Sequence, residues 1–183
     1  MIVRDGLSAI GVNALAREVG CDKVLIYRYF GDLDGVYEEF AAQSDFWWAL
    51  EDLVGGIDTK RISFAAAVKL ILRRHAGAIR SRPVTLAVLA AELDERTPLV
   101  VALEKVREQR SLALSQWIAE HYRISNGTDF ETIGMLLGVA INYLAVRARN
   151  IRVMSGVPIK SDKDWQRILN AIDKLIDGAL RKP

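Results

Sequence analysis

Apolar residues along the chain recur at three- and four-residue steps, the period of a helix with one buried face. No stretch alternates apolar and polar positions as a half-buried strand does, so the pattern predicts an all-α fold. Residues 7–31 form short pieces punctuated by Gly6, Gly11, Gly20 and Gly31, and longer patterns follow from about 32. This predicts a small N-terminal domain over 1–43 and a larger helical domain over 44–183. In the second, Gly55-Gly56, Pro83, Thr97-Pro98, Ser125-Asn126-Gly127 and Ser155-Gly156-Val157-Pro158 act as breakers. Helices are expected over about 33–53, 60–82, 84–94, 98–122, 128–153 and 162–180, with Thr128 and Ser161 as N-caps. Ser161 with Asp164 three residues on resembles a capping box.

The two final helices carry the strongest patterns. Trp165, Ile168, Leu169, Ile172, Leu175, Ile176 and Ala179 make one continuous stripe. The preceding helix is apolar almost all round over 133–146, a stretch shorter than the roughly 20 residues a bilayer crossing needs, so a buried helix is expected. Gly134 and Gly138 align on it with Asn142 or Ala145. Such a helix needs two partners, which predicts a homodimer joined through Gly134, Gly138, Ile141, Ala145, Trp165, Ile168, Leu169, Ile172, Leu175 and Ile176 as a two-fold helix bundle.

Composition narrows the class. Half apolar and a quarter charged, the 183 residues suit a globular protein with a sizeable core. A net charge of +2 says almost nothing about partners. Cys21 is the single cysteine, which excludes an intrachain disulfide and a cysteine-based zinc site and fits a reducing, cytoplasmic setting. Two histidines and no glycine-rich phosphate loop supply no catalytic constellation. No enzyme activity, cofactor, metal or membrane partner is implied.

Candidate chemistry lies near the start. Val12, Leu15, Ala16 and Val19 form a one-face stripe, Gly20 suits a tight turn, Cys21 is a small plug and Asp22 can cap a second helix. That helix is expected to bury Ile26 and Phe30 and to present Lys23, Val24, Leu25, Tyr27, Arg28 and Tyr29. Two short helices with a cationic and aromatic outer face have the grammar of a helix-turn-helix. Lysine, arginine and tyrosine can meet phosphates or guanine edges, and Val24 or Leu25 a thymine methyl.

The tract Val12-Asn13-Ala14-Leu15-Ala16-Arg17-Glu18-Val19-Gly20-Cys21-Asp22-Lys23-Val24-Leu25-Ile26-Tyr27-Arg28-Tyr29-Phe30-Gly31-Asp32 resembles the DNA-binding motif of the TetR family of transcriptional regulators. Ile26-Tyr27-Arg28-Tyr29-Phe30 is its most specific part. The resemblance by motif covers about 40 residues. It implies that Lys23, Leu25, Tyr27, Arg28 and Tyr29 face double-stranded operator DNA. It further implies a homodimer and a small-molecule effector held by the C-terminal helices. The family commonly places Lys where Leu33 stands, and a full helix where only a last turn, Met1–Asp5, is expected. Val12, Leu15 and Phe30 then want a packing partner, which leads us to expect further residues before Met1 or an apolar groove.

Other residues are candidates for the effector. Trp47, His75, Trp117, Asn142 and Tyr143 are aromatic or polar groups on helices expected to line a cavity. The segment 60–83 carries seven cations and no acid, either a solvated face or an attractor for an anionic effector. His121 ends a helix, where a cation suits the dipole, and Glu92, Asp94 and Glu95 look solvated. Residues 1–40 set Arg4, Arg17, Lys23 and Arg28 against seven acids, a net −3. The expected function is a ligand-responsive transcriptional repressor released from its operator by a small molecule. The alternative is a helical protein-interaction module whose helix-turn-helix is only a scaffold.

Overall fold

The computed structural model describes residues 1–43, 46–94, 96–124 and 129–180. Within them the order is α1 (Ile2–Asp5), α2 (Val12–Val19), α3 (Lys23–Phe30), α4 (Leu33–Ala42), α5 (Leu50–Val54), α6 (Phe64–Arg80), α7 (Pro83–Ala91) and α8 (Pro98–His121). It continues with α9 (Phe130–Arg147), β1 (Val153–Met154), β2 (Val157–Pro158) and α10 (Asp162–Ala179). The turn at Ser125-Asn126-Gly127, the cap at Thr128 and Glu95 lie outside the described residues. The cap seen on α9 is Asp129, whose carboxylate accepts from the Thr132 amide at 3.0 Å.

The chain forms two compact units, Met1–Trp47 with Arg82–Arg110, and Trp48–Ser81 with Ser111–Pro183. A contiguous division at 43/44 is thus replaced by a discontinuous one. In the first unit α7 packs on α1, and polar contacts tie the 82–110 segment to Phe46 and Trp47. The buried Thr85 hydroxyl donates to the Phe46 carbonyl and Arg110 to the Trp47 carbonyl. The Arg107 guanidinium lies 5.6 Å from the Trp47 ring centre, and its Nη1 donates to both Glu92 oxygens at 2.8 and 2.6 Å. Glu92 is therefore a partly buried ion-pair partner, not solvated surface.

The single helix expected over 33–53 is broken between α4 and α5. Phe46, Trp47 and Trp48 are all buried. A helix turns each residue 100° from the last and exposes one of any such three, so the backbone leaves the helix here. Within the first unit, Gly35 has a steric role: a Cβ there would stand 2.0 Å from the Phe30 carbonyl oxygen. Glycine lets α4 start close against the end of α3.

In the second unit α6 packs against α5, α9 and α10, burying Ala67, Val68, Ile71, Leu72, His75, Ala76 and Ile79. Its cations are largely spoken for. Lys69 pairs with Asp177 at 2.5 Å, Arg73 with Asp173 at 2.6 Å and Asn170 at 2.8 Å, and Arg80 with Asp162 at 2.6 Å. Partner numbers fall as α6 numbers rise, so the two helices run antiparallel, joined by a row of ion pairs. Arg80 also stacks 4.8 Å over the buried Trp165 ring, while Arg74 donates to the Leu53 and Gly55 carbonyls that end α5. Partly exposed pairs of this kind contribute little each. Arg73→Met should lower stability by about 0.2–1 kcal/mol in urea titration, with the difference shrinking at high salt. A larger loss that salt leaves unchanged would mean that packing, not charge, joins α6 to α10.

The capping box is present: Ser161 Oγ accepts from the Asp164 amide at 3.2 Å, and Asp164 accepts from the Ser161 amide at 2.8 Å. Before it, the breaker Ser155-Gly156-Val157-Pro158 lies in a β-hairpin, where no strand was expected, pairing Val153 with Pro158 and Met154 with Val157. Ser155 and Gly156, both at positive φ (49° and 77°), make its two-residue turn, the arrangement that matches strand twist. Two-residue strands are too short to show alternation. α9 ends at Arg147, short of the expected 153, and a turn over 148–150 leads on to the hairpin. Lys160 Nζ reaches the Ala148 and Arg149 carbonyls just beyond, at 2.7 and 3.2 Å.

Candidate nucleic-acid interface

The N-terminal candidates stand on α3, and local chemistry fixes how. Gly20 ends α2 in the left-handed conformation (φ 69°, ψ 33°), and the Cys21 amide donates back to the Ala16 carbonyl at 3.0 Å. Asp22 is extended, and its carboxylate accepts from the Val24 amide at 2.9 Å, starting α3 one residue later. Ala16 and Ile26 are the buried residues of α2 and α3. Phe30, expected inward, is 40 % exposed; Val12 and Leu15 are half-buried.

With Ile26 as the single anchor, Lys23, Val24, Leu25, Tyr27, Arg28 and Tyr29 are all exposed. At 100° per residue, Val24 and Arg28 lie opposite Ile26, one turn apart, with Leu25 and Tyr27 on either flank. Tyr29 is 74 % exposed. Among the described residues neither Lys23 nor Arg28 forms an ion pair. Arg4 differs: its Nη2 lies 2.8 Å from both Asp5 and Glu18, and it holds both carboxyls below their usual range. An open groove of about 560 Å³ beside the turn is lined by Asn13, Ala16, Arg17, Gly20, Cys21, Asp22 and Lys23.

The five effector candidates do not converge. His75 and Asn142 do: Nε2 of the buried imidazole lies 2.9 Å from Asn142 Oδ1. The Gly138 carbonyl is a second partner, yet burial dominates and pushes the imidazole down to about 4. The third member is Trp48, edge-on to His75 at 6.0 Å, hidden in sequence among three consecutive aromatics. Trp47 belongs to the first unit. Trp117 is half-buried and stacks on His121 at 4.5 Å, and His121 Nδ1 meets the Trp117 carbonyl at 2.7 Å, a helix-end contact. Tyr143, next to Asn142, is turned outward and exposed.

The dimerisation candidates also divide. Ile141, Ala145, Trp165, Ile172 and Ile176 are buried in their own unit. Gly134 and Gly138 share the α9 stripe of Ile141 and Ala145, and with Ile168 and Leu169 they are half-buried; only Leu175 is exposed, at 61 %. The helical period explains this. Residues 134, 138, 141 and 145 fall on the α9 face turned toward the core, and the opposite face carries Met135, Leu136, Val139 and Tyr143, all exposed. The helix expected to be buried thus buries only Phe130, Ile141 and Ala145. At 18 residues it is long and apolar enough to cross a membrane by length and composition.

Comparison with protein-family models, with curated proteins and with solved structures gave no match.

Proposed function

We propose that the chain is a DNA-binding transcriptional regulator of the TetR type, a homodimeric repressor released from its operator by a small molecule. The observation that carries this reading is the presentation of α3. A short helix starts on an Asp22 cap behind a left-handed glycine, holds on by Ile26, and offers six side chains able to reach groove edges and phosphates. A second copy seated on Met135, Leu136, Val139 and Tyr143 would cover the apolar outer face of α9 and supply a second reading helix for a two-fold operator. The effector's polar anchor would be the His75–Asn142 pair, and it must favour one of two states to shift anything.

The test is binding of the full chain to mixed-sequence duplex at low salt, where a regulator retains salt-dependent affinity. Arg28→Ala should leave the fold intact, since the side chain is exposed, and weaken operator binding by about 1–3 kcal/mol, roughly five- to 150-fold. Unchanged affinity in that variant would remove Arg28 from the interface. The net −3 of residues 1–40 favours the second reading, a protein-interaction module. That reading gains if no duplex is retained even at low salt.

A further inference from the structure

The outer face of α3 is unusual for a polyanion's partner, and its make-up says how it would read DNA. This step rests on the regulator reading above. Val24, 61 % exposed, and Arg28 occupy the centre of the face opposite Ile26. They are four residues apart, a rise of about 6 Å, close to two base-pair steps along a duplex. Around them stand Leu25, Tyr27 and Tyr29. Cations are scarce: Arg4 is held by Asp5 and Glu18, which leaves Arg17 and Lys23 at the edge to meet phosphates. Seven acids in the first 40 residues oppose them. A face so poor in charge draws little affinity from counterion release. What it has in quantity is exposed apolar surface, and the apolar group that the major groove offers is the thymine C5-methyl.

We infer that this face reads a thymine methyl through Val24 and a guanine about two steps away through Arg28, with base contacts outweighing phosphate contacts. Phosphate contacts by Arg17 and Lys23 from two copies give a slope of log affinity against log salt near −4, well short of the slope of about −10 that a repressor with many phosphate contacts can show.

The experiment selects binders for the full-length protein from a library of random duplexes of about 30 base pairs. The selected duplex is then remade with uracil in place of thymine, which removes only the methyl groups. Expected are half-sites holding thymine and guanine about two steps apart. Each uracil at a contacted thymine should weaken binding about fourfold, the effect of one buried methyl group. Val24→Ala, at an exposed position where alanine favours the helix, should shrink the difference between thymine and uracil duplexes, because the shorter side chain covers less of the methyl. Binding that is indifferent to uracil in the wild-type chain, with a salt slope near −8, would overturn the inference and leave the regulator reading standing. If no duplex is selected at all, both fall, and the apolar face of α3 belongs to a protein partner.

Discussion

Sedimentation of the wild-type chain at micromolar concentration is expected to give one species of twice 20.4 kDa, and the double variant Leu136→Asp, Val139→Asp one of 20.4 kDa. The reason lies in how α9 is placed. Its core-facing stripe, Ile141 and Ala145 with Gly134 and Gly138, is the side occupied within the chain. Leu136 and Val139 are 58 % and 57 % exposed on the far side, beside Met135 and Tyr143. Leaving such a contiguous stripe in water is costly, and self-association through a two-fold axis covers it on both copies at once. Two carboxylates on each copy would have to be desolvated together, raising the dissociation constant by at least about a hundredfold. The variant's own fold should survive, because neither side chain contributes to the buried face. Urea unfolding of the variant tests that separately. On the proposed regulator reading, operator binding should fall with the dimer, since a lone chain would engage one half-site. A wild-type chain that sediments at 20.4 kDa would remove the dimer and, with it, the two-headed mechanism.

Much of this architecture was legible because it is local. The glycine turn, the Asp22 cap and the Ser161–Asp164 box each depend on residues within one or two helical turns, where capping chemistry suffices, whereas of the α2 stripe Val12, Leu15 and Ala16 turn inward and Val19 is 67 % exposed. Pairings across the chain were not legible. The acid-free run on α6 looked like a solvated face or an anion attractor. Its partners Asp162, Asp173 and Asp177 lie 82 to 108 residues away, so no spacing rule connects them. Burial on α9 is not legible for a related reason. An apolar sequence shows that faces want covering, but not which face the chain itself covers, and Ile141 and Ala145 went inward while Leu136 and Val139 did not. Phe46, Trp47 and Trp48 show the opposite failure. A continuous helix would leave at least one of three consecutive residues exposed or at an interface, and the chain gives up the helix to bury all three.

Between pH 6.5 and 4 the wild-type chain should lose about 3 kcal/mol of stability that a His75→Met variant does not lose. The imidazole sits in the core of the second unit, with Asn142 Oδ1 and the Gly138 carbonyl as its polar partners and Trp48 against its edge. Burial outweighs the two acceptors, which favour the protonated ring, and lowers its pKa from 6.5 to about 4. The sign follows from proton counting. Above pH 6.5 the folded and unfolded chains both hold a neutral imidazole, and the folded state keeps its full stability. As pH falls below 6.5, the unfolded chain takes up a proton that the folded one refuses, so unfolding is favoured. Below about 4 both are protonated and the loss levels off. A displacement of about 2.5 pH units corresponds to about 3 kcal/mol. At neutral pH the variant itself should be less stable by about 1–3 kcal/mol, because Asn142 loses its partner in a buried place. The two stability curves should therefore converge as pH drops from 7 to 4. Carboxylates such as Asp129 and Asp164, held low by their capping bonds, titrate alike in both proteins and cancel in the difference. Curves that stay parallel through this range would show that His75 is not held neutral in the core, and the His75–Asn142 pair would then be a hydrated, open feature of the second unit.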